Sequence, residues 1–244
     1  MRKILILLLF GCFCFSEEII LDREITEKKI EELEKIKEGT KDPEILKRIY
    51  PVLIEKYDKQ AEYGKKHRSM KEYAEILYPE KEKQAEYLKN EADKLREQGE
   101  IGEAIMIYKF IGQEYPLTNK DKGSLLQLGE IFKNEMDKEK VIFYYSQVMQ
   151  KYEPFITESE WWEIIKNFDF LKQYYKAIEL SEKFLQKFED SKYREDILFT
   201  LGNLYRKIGE IKKAQNVWEI YIKEYPTSIK NNMIEKFFKE EVKK

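Results

Sequence analysis

Apolar residues in this chain recur three and four positions apart, in run after run, and nowhere alternate one by one over the length of a strand. In "ILFTLGNLYRKIGEIKKAQNVWEIYIKEYP", Leu198, Leu201 and Tyr205 share one face of a first helix, and Ala214, Trp218 and Tyr221 one face of a second. The spacing predicts an all-α chain of paired helices. The run endings also recur: "LYPEK" at Tyr78-Pro79, "EYPLT" at Tyr115-Pro116, "KYEPF" at Tyr152 to Pro154, "KFEDS" at Phe188 to Asp190 and "EYPTS" at Tyr225-Pro226. Successive steps from Pro79 are 37, 38, 36 and 36 residues. A second column, Ala104, Val141, Ala177 and Ala214, steps by 37, 36 and 37. A period of this size marks an array of supersecondary units, each burying its apolar face against the next.

Within each unit the pattern resembles the tetratricopeptide repeat. Its clearest copy is the stretch quoted above, with Leu198, Leu201, Gly202 and Tyr205, then Ala214, Trp218 and Tyr221, then Pro226. Gly202 and Ala214 carry no bulk beyond a methyl group, so two helix axes can approach closely there. Proline has no amide donor and clashes with the preceding turn, so it closes the second helix. Residues 85–116 keep Leu88, Ala92, Leu95, Ala104, Tyr108 and Pro116. Residues 122–154 keep Leu125, Leu128, Gly129, Phe132 and Tyr145, with Val141 in the alanine column. Residues 158–190 keep Trp161, Ile164, Phe168, Ala177 and Phe184, but have Ile165 in place of the glycine and Asp190 in place of the proline. The resemblance implies a right-handed α-solenoid of antiparallel helix pairs: four repeats over 81–227, a degenerate leading pair over 42–80, and a capping helix over 228–244.

The flanks fit that plan. Asp42-Pro43 offers an N-cap and a first-turn proline, which predicts a helix start there. In the 17–41 segment, Ile25 to Lys37 reads as a charged helix with Ile30, Leu33 and Ile36 as a thin apolar stripe, broken at Gly39-Thr40. Ser228 is placed to cap a last helix with Ile229, Met233, Ile234, Phe237 and Phe238 on one side.

The first sixteen residues, "MRKILILLLFGCFCFS", have two basic residues followed by an unbroken apolar run from Ile4 to Phe10. That is the pattern of an export signal, and the run is far short of the ~20 residues that span a bilayer. Cleavage before Glu17 would leave a soluble periplasmic or cell-envelope protein. Alternatively "LFGC" resembles a lipoprotein box, with Leu9 and Gly11 ahead of an acylatable Cys12, and the membrane would then hold the chain. Phe10 departs from the small residue preferred in that box, so soluble release is the favoured expectation.

Lys plus Arg total 45 against 47 Asp plus Glu, with the signs interleaved. That balance argues against nucleic acid, which demands a basic patch or stripe. No glycine-rich phosphate loop, nucleophile elbow, zinc motif or calcium loop is present, so neither an enzyme nor a cofactor is expected. The one histidine, His67, has no second ligand near it in sequence and is expected on an exposed helix face.

In this family first helices line the concave side, and the position after the first core residue faces the groove. That column reads Lys89, Leu126, Trp162, Phe199. A turn further on it reads Asp93, Glu130, Lys166, Asn203, and then Arg96, Lys133, Asp169, Arg206. The candidate partner site is therefore an apolar stripe of Leu126, Trp162 and Phe199, flanked by Arg96, Lys133, Lys166, Asn203 and Arg206. Such a groove suits a peptide from another envelope protein. Export combined with "YP" endings is similar to two envelope families, the periplasmic repeat protein of the Tol–Pal system and the repeat-built lipoprotein of the outer-membrane β-barrel assembly machine. An envelope enzyme or carbohydrate-binding protein on an α-solenoid is the third expectation, and would need an acid pair or aromatic platform that the sequence does not isolate.

Overall fold

The computed structural model describes residues 25–241, with side chains up to Phe238. The export signal and Cys12 lie outside the described residues. Among the described residues there are α-helices and one 3-10 turn, with no strand. The helices are α1 (Ile30–Gly39), α2 (Pro43–Lys59), α3 (Tyr63–Leu77), α4 (Lys81–Glu97), α5 (Ile101–Glu114), α6 (Asn119–Asn134), α7 (Lys138–Tyr152), α8 (Glu158–Phe170), α9 (Tyr174–Lys187), α10 (Arg194–Lys207), α11 (Ile211–Glu224) and α12 (Asn231–Glu241). Two compact units divide the chain between Ile131 and Phe132, inside α6.

The turn that closes each pair is the same in all five pairs. Ala61, Gly99, Met136, Lys172 and Gly209 all take positive φ, between 56° and 87°, and their positions step by 38, 37, 36 and 37 residues. The amide of the following residue bonds back to the carbonyl five residues earlier: Glu62 to Tyr57, Glu100 to Leu95, Asp137 to Phe132, Gln173 to Phe168 and Glu210 to Tyr205, at 2.8–2.9 Å. This is the Schellman arrangement, which satisfies the last carbonyls of a helix by a left-handed residue and reverses the chain in three residues. Within each unit, turns this short force the two helices of a pair to run antiparallel. The leading pair α2–α3 closes with this turn as well.

The second helices also stop alike. Tyr78, Tyr115 and Tyr225 cap α3, α5 and α11, each leaving helical geometry (ψ 125°, 49° and 60°) while its amide still bonds back into the last turn. A residue before proline is pushed out of the α region, which is the local cause. Phe188 adopts the same cap geometry before Glu189, at ψ 70°, so the proline reinforces this stop without being required for it.

In the first unit α3 packs on both α2 and α4, and α4 on α5. Leu33 is fully buried among Ile25, Ile49, Leu53 and Tyr57, with Ile30 and Ile36 partly buried beside it, so the thin stripe does pack. The helix is not continuous from Ile25, however: Lys28 and Lys29 interrupt it, and α1 begins at Ile30. In the second unit α9 packs on both α8 and α10, and α10 on α11. Each unit is thus solenoid-like, with helix pairs laid on helix pairs.

Buried positions sixteen residues apart on paired helices are complementary in size: Ala92 with large Tyr108, Ile165 with small Ser181, and Gly202 with Trp218, which it meets directly. The unit that lacks a glycine at Ile165 therefore has the small residue on the opposite helix, which conserves volume across the pair. At Gly202 the fit is tightest. A methyl group there would lie 2.5 Å from Cδ1 and 2.6 Å from Cε2 of Trp218, closer than carbon atoms can approach.

The chain end differs from expectation. The last helix begins at Asn231, not beside Ser228, whose hydroxyl accepts from the Lys230 amide at 3.3 Å just ahead of the helix, donates to Glu195 at 2.8 Å and lies 2.7 Å from the Tyr221 hydroxyl. The Tyr221 hydroxyl also donates to Glu195, at 2.8 Å, and these two donors, Tyr221 first and Ser228 second, hold the Glu195 carboxyl below its ordinary range. Ile229 and Met233 are exposed, and only Ile234, Phe237 and part of Phe238 turn inward. The expected one-sided stripe is narrower because its first member precedes the helix.

Candidate partner-binding face

Leu126 and Arg96 belong to the first unit. Leu126 is half-buried on α6. Arg96 is half-buried on α4 and engaged with the Tyr108 hydroxyl, which also donates to Asp93 at 2.6 Å. Asp93 in turn pairs with Lys89 at 2.6 Å. Lys89 and Asp93 are thus spent on each other, and Arg96 on a neutral hydroxyl.

The other six predicted residues belong to the second unit, where they form two groups. In the first, Trp161 is completely buried, its indole N–H donating to the Leu180 carbonyl at 3.2 Å, while the next residue, Trp162, is half-buried. Adjacent helical residues point about 100° apart, so one ring enters the core and the other edges its surface. Lys166 stands over the Trp162 ring at 5.5 Å and pairs with Glu163 at 2.6 Å; Lys133 reaches the same Glu163 at 3.8 Å.

The second group is Phe199, Asn203 and Arg206 on α10. The Phe199 carbonyl accepts from the Asn203 amide at 3.0 Å and from the Trp218 indole at 3.4 Å. Lys230 lies over the Phe199 ring at 5.4 Å and Arg206 over Phe237 at 5.3 Å. With Trp218 and residues of α12, these three line a cavity of about 300 Å³.

The residues that carry this geometry also meet an established sequence pattern. The family model of the tetratricopeptide repeat matches residues 196–228. The chain carries a tetratricopeptide repeat. Gly202, Ala214 and Trp218 are its close-packed positions, and Phe199, Asn203 and Arg206 lie on its first helix. Among solved structures, the chain is similar to BtubC (BKLC) from P. vanneervenii, at 16% identity over 83% of this chain and 90% of that one, with a TM-score of 0.46. A kinesin light chain of nearly identical TPR-like repeats from Podosopora anserina has 14% identity over 78% and 100%, with a TM-score of 0.47. The C-terminal part of a TPR repeat-containing protein from Cytophaga hutchinsonii has 17% identity over 87% and 79%, also at 0.47. Scores of this size do not decide the fold, which rests on the helix pairs and their repeated turn. Comparison with curated proteins finds no match.

Sequence reasoning missed Met233, Lys236 and Phe237 as neighbours of the repeat's first helix. The amphipathic pattern of the last segment carried the signal for a helix, but not for where that helix lies. It also misplaced His67. The ring is 95% buried on α3, between Tyr63 and Phe110 at 6.5 and 5.9 Å. Burial, then the neighbouring Lys66 charge, pushes its pKa down to about 4, so it is a neutral core side chain. Lys66 is buried too, bonded to Asp58 at 2.6 Å and to Glu103. Among the described residues no group of side chains could hold a metal ion, and no helix is long and apolar enough to cross a membrane.

Proposed function

We propose that this protein is a non-enzymatic scaffold of the cell envelope that binds a peptide of another protein through the tetratricopeptide-repeat face of its second unit. The observation that carries this reading is the pair of aromatic rings, Trp162 and Phe199, each half-buried directly after a buried core residue and each beneath a lysine ammonium. Large aromatics at a surface rimmed by charges are the usual anchors of a protein interface. Export by the first sixteen residues supports the envelope setting, and a role like that of the Tol–Pal periplasmic repeat protein follows from the same combination.

Trp162→Ala tests the reading against Trp161→Ala. The buried Trp161 should cost ~3–5 kcal/mol of stability on truncation. Trp162→Ala should keep the fold within ~1 kcal/mol while reducing recovery of a partner crosslinked in envelope extracts. Equal destabilisation by the two, or undiminished recovery with Trp162→Ala, would sink the proposal. The "LFGC" stretch favours a second reading, a lipoprotein of the barrel-assembly type. An intact mass starting at acylated Cys12, in place of Glu17, would establish that alternative.

A further inference from the structure

We infer that the cavity between α10, α11 and α12 receives an apolar side chain flanked by carboxylates, on an internal segment of a partner protein. This rests on the reading of the second unit as a partner-binding face and narrows it to one chemistry. The walls of the cavity are Phe199, Trp218, Ile234 and Phe237, with the 62% exposed Met233 at its lip. A volume of about 300 Å³ is at the small end for ligand sites and fits one large side chain better than a cofactor. Its polar lining is the Asn203 amide and the cations Arg206 and Lys236, without a carboxylate.

Those two cations stand apart from the others nearby. Lys166 is paired with Glu163, Arg194 with Glu224, Lys207 with Asp169, and Lys230 with Asp196. Among the described residues Arg206 meets only the Phe237 ring, and Lys236 meets no acid. A cavity walled by aromatic rings, with two cations on its rim that meet no acid among the described residues, is complementary to an apolar residue set between Asp or Glu side chains. A planar guanidinium on an aromatic face keeps its fork of donors for a carboxylate. Lys236 adds a second point charge, which speeds encounter and rejects basic segments.

The test is fluorescence anisotropy of the full chain with a labelled, end-blocked peptide of sequence GDFEG, beside GNFQG, GDGEG and GKFKG. GDFEG should bind most tightly, and each of the others at least about tenfold more weakly. Arg206→Glu with Lys236→Glu should cause a similar loss for GDFEG at an unchanged melting temperature; Arg206→Gln with Lys236→Gln, a milder change, should cause a smaller one. Binding of GDFEG that survives both double variants but fails with Trp162→Ala overturns this inference and leaves the wider binding face standing. Binding insensitive to all of these variants, or none up to about 1 mM, overturns the inference as well. Self-association abolished by the same charge variants would assign the cavity to a second copy of the chain, against the partner proposed here.

Discussion

Replacing Gly202 by alanine pits two effects of known sign against each other. In an open helix interior the change stabilises by ~1 kcal/mol, because alanine restricts the unfolded chain. At Gly202 the new methyl group would sit 2.5 Å from Cδ1 of Trp218, so the indole must move by about 1 Å to restore ordinary contact. The indole has little room. Trp218 is 2% exposed, its N–H is bonded to the Phe199 carbonyl, and Phe237 and Phe238 meet it edge-on at 5.0 and 6.0 Å. Overpacking a filled core costs ~1–3 kcal/mol and the indole hydrogen bond adds ~1, against the ~1 gained from the backbone, so the net expectation is a loss of ~1–3 kcal/mol. The protein supplies its own local probe: its three tryptophans, Trp161, Trp162 and Trp218, all lie in the second unit. Urea unfolding followed by tryptophan fluorescence therefore reports on the unit that is perturbed. In a Trp218→Leu background the same glycine change should become neutral or stabilising, a coupling of ~1–3 kcal/mol. A Gly202→Ala variant as stable as the parent, or more so, would refute the close-packing argument.

Three further outcomes are expected. Met136→Gly and Lys172→Gly should each stabilise by ~0.5–1 kcal/mol, because both residues hold φ near 60°, while Gly209→Ala should destabilise by ~1 kcal/mol; chemical denaturation midpoints check both signs. The single histidine gives one resolved imidazole titration by NMR, and its midpoint should fall far below the ordinary 6.5, near 4. Since the unfolded chain binds that proton first, His67 removes stability as pH falls from about 6.5 towards 4, and a midpoint at 6.5 would mean an exposed ring. Glu103→Gln strips one of two carboxylates from buried Lys66 and should cost ~3 kcal/mol, whereas Glu55→Gln in the exposed pair Lys59–Glu55 should leave the denaturation midpoint where it was.

The periodic elements were legible in the sequence because they are local. Apolar spacing depends only on 3.6 residues per turn, and Asp42 before Pro43 caps α2 as its chemistry dictates, accepting from the Glu44 amide at 2.9 Å. The repeat period was equally plain, since a turn built the same way five times needs segments of nearly equal length. Size matching was only half visible. The glycine at 202 stood out beside its tryptophan, but Ile165 looked like a defect until Ser181 was found small in its place, and that relation joins two helices. Burial of His67 depended on where α5 brings Phe110, a contact 43 positions away in the chain. The same holds for the candidate site. Trp162 and Phe199 were singled out by their place after core residues, which is local geometry. The cavity was not, because its second wall comes from α12, and amphipathic spacing tells a helix which face to bury but not against which neighbour to bury it.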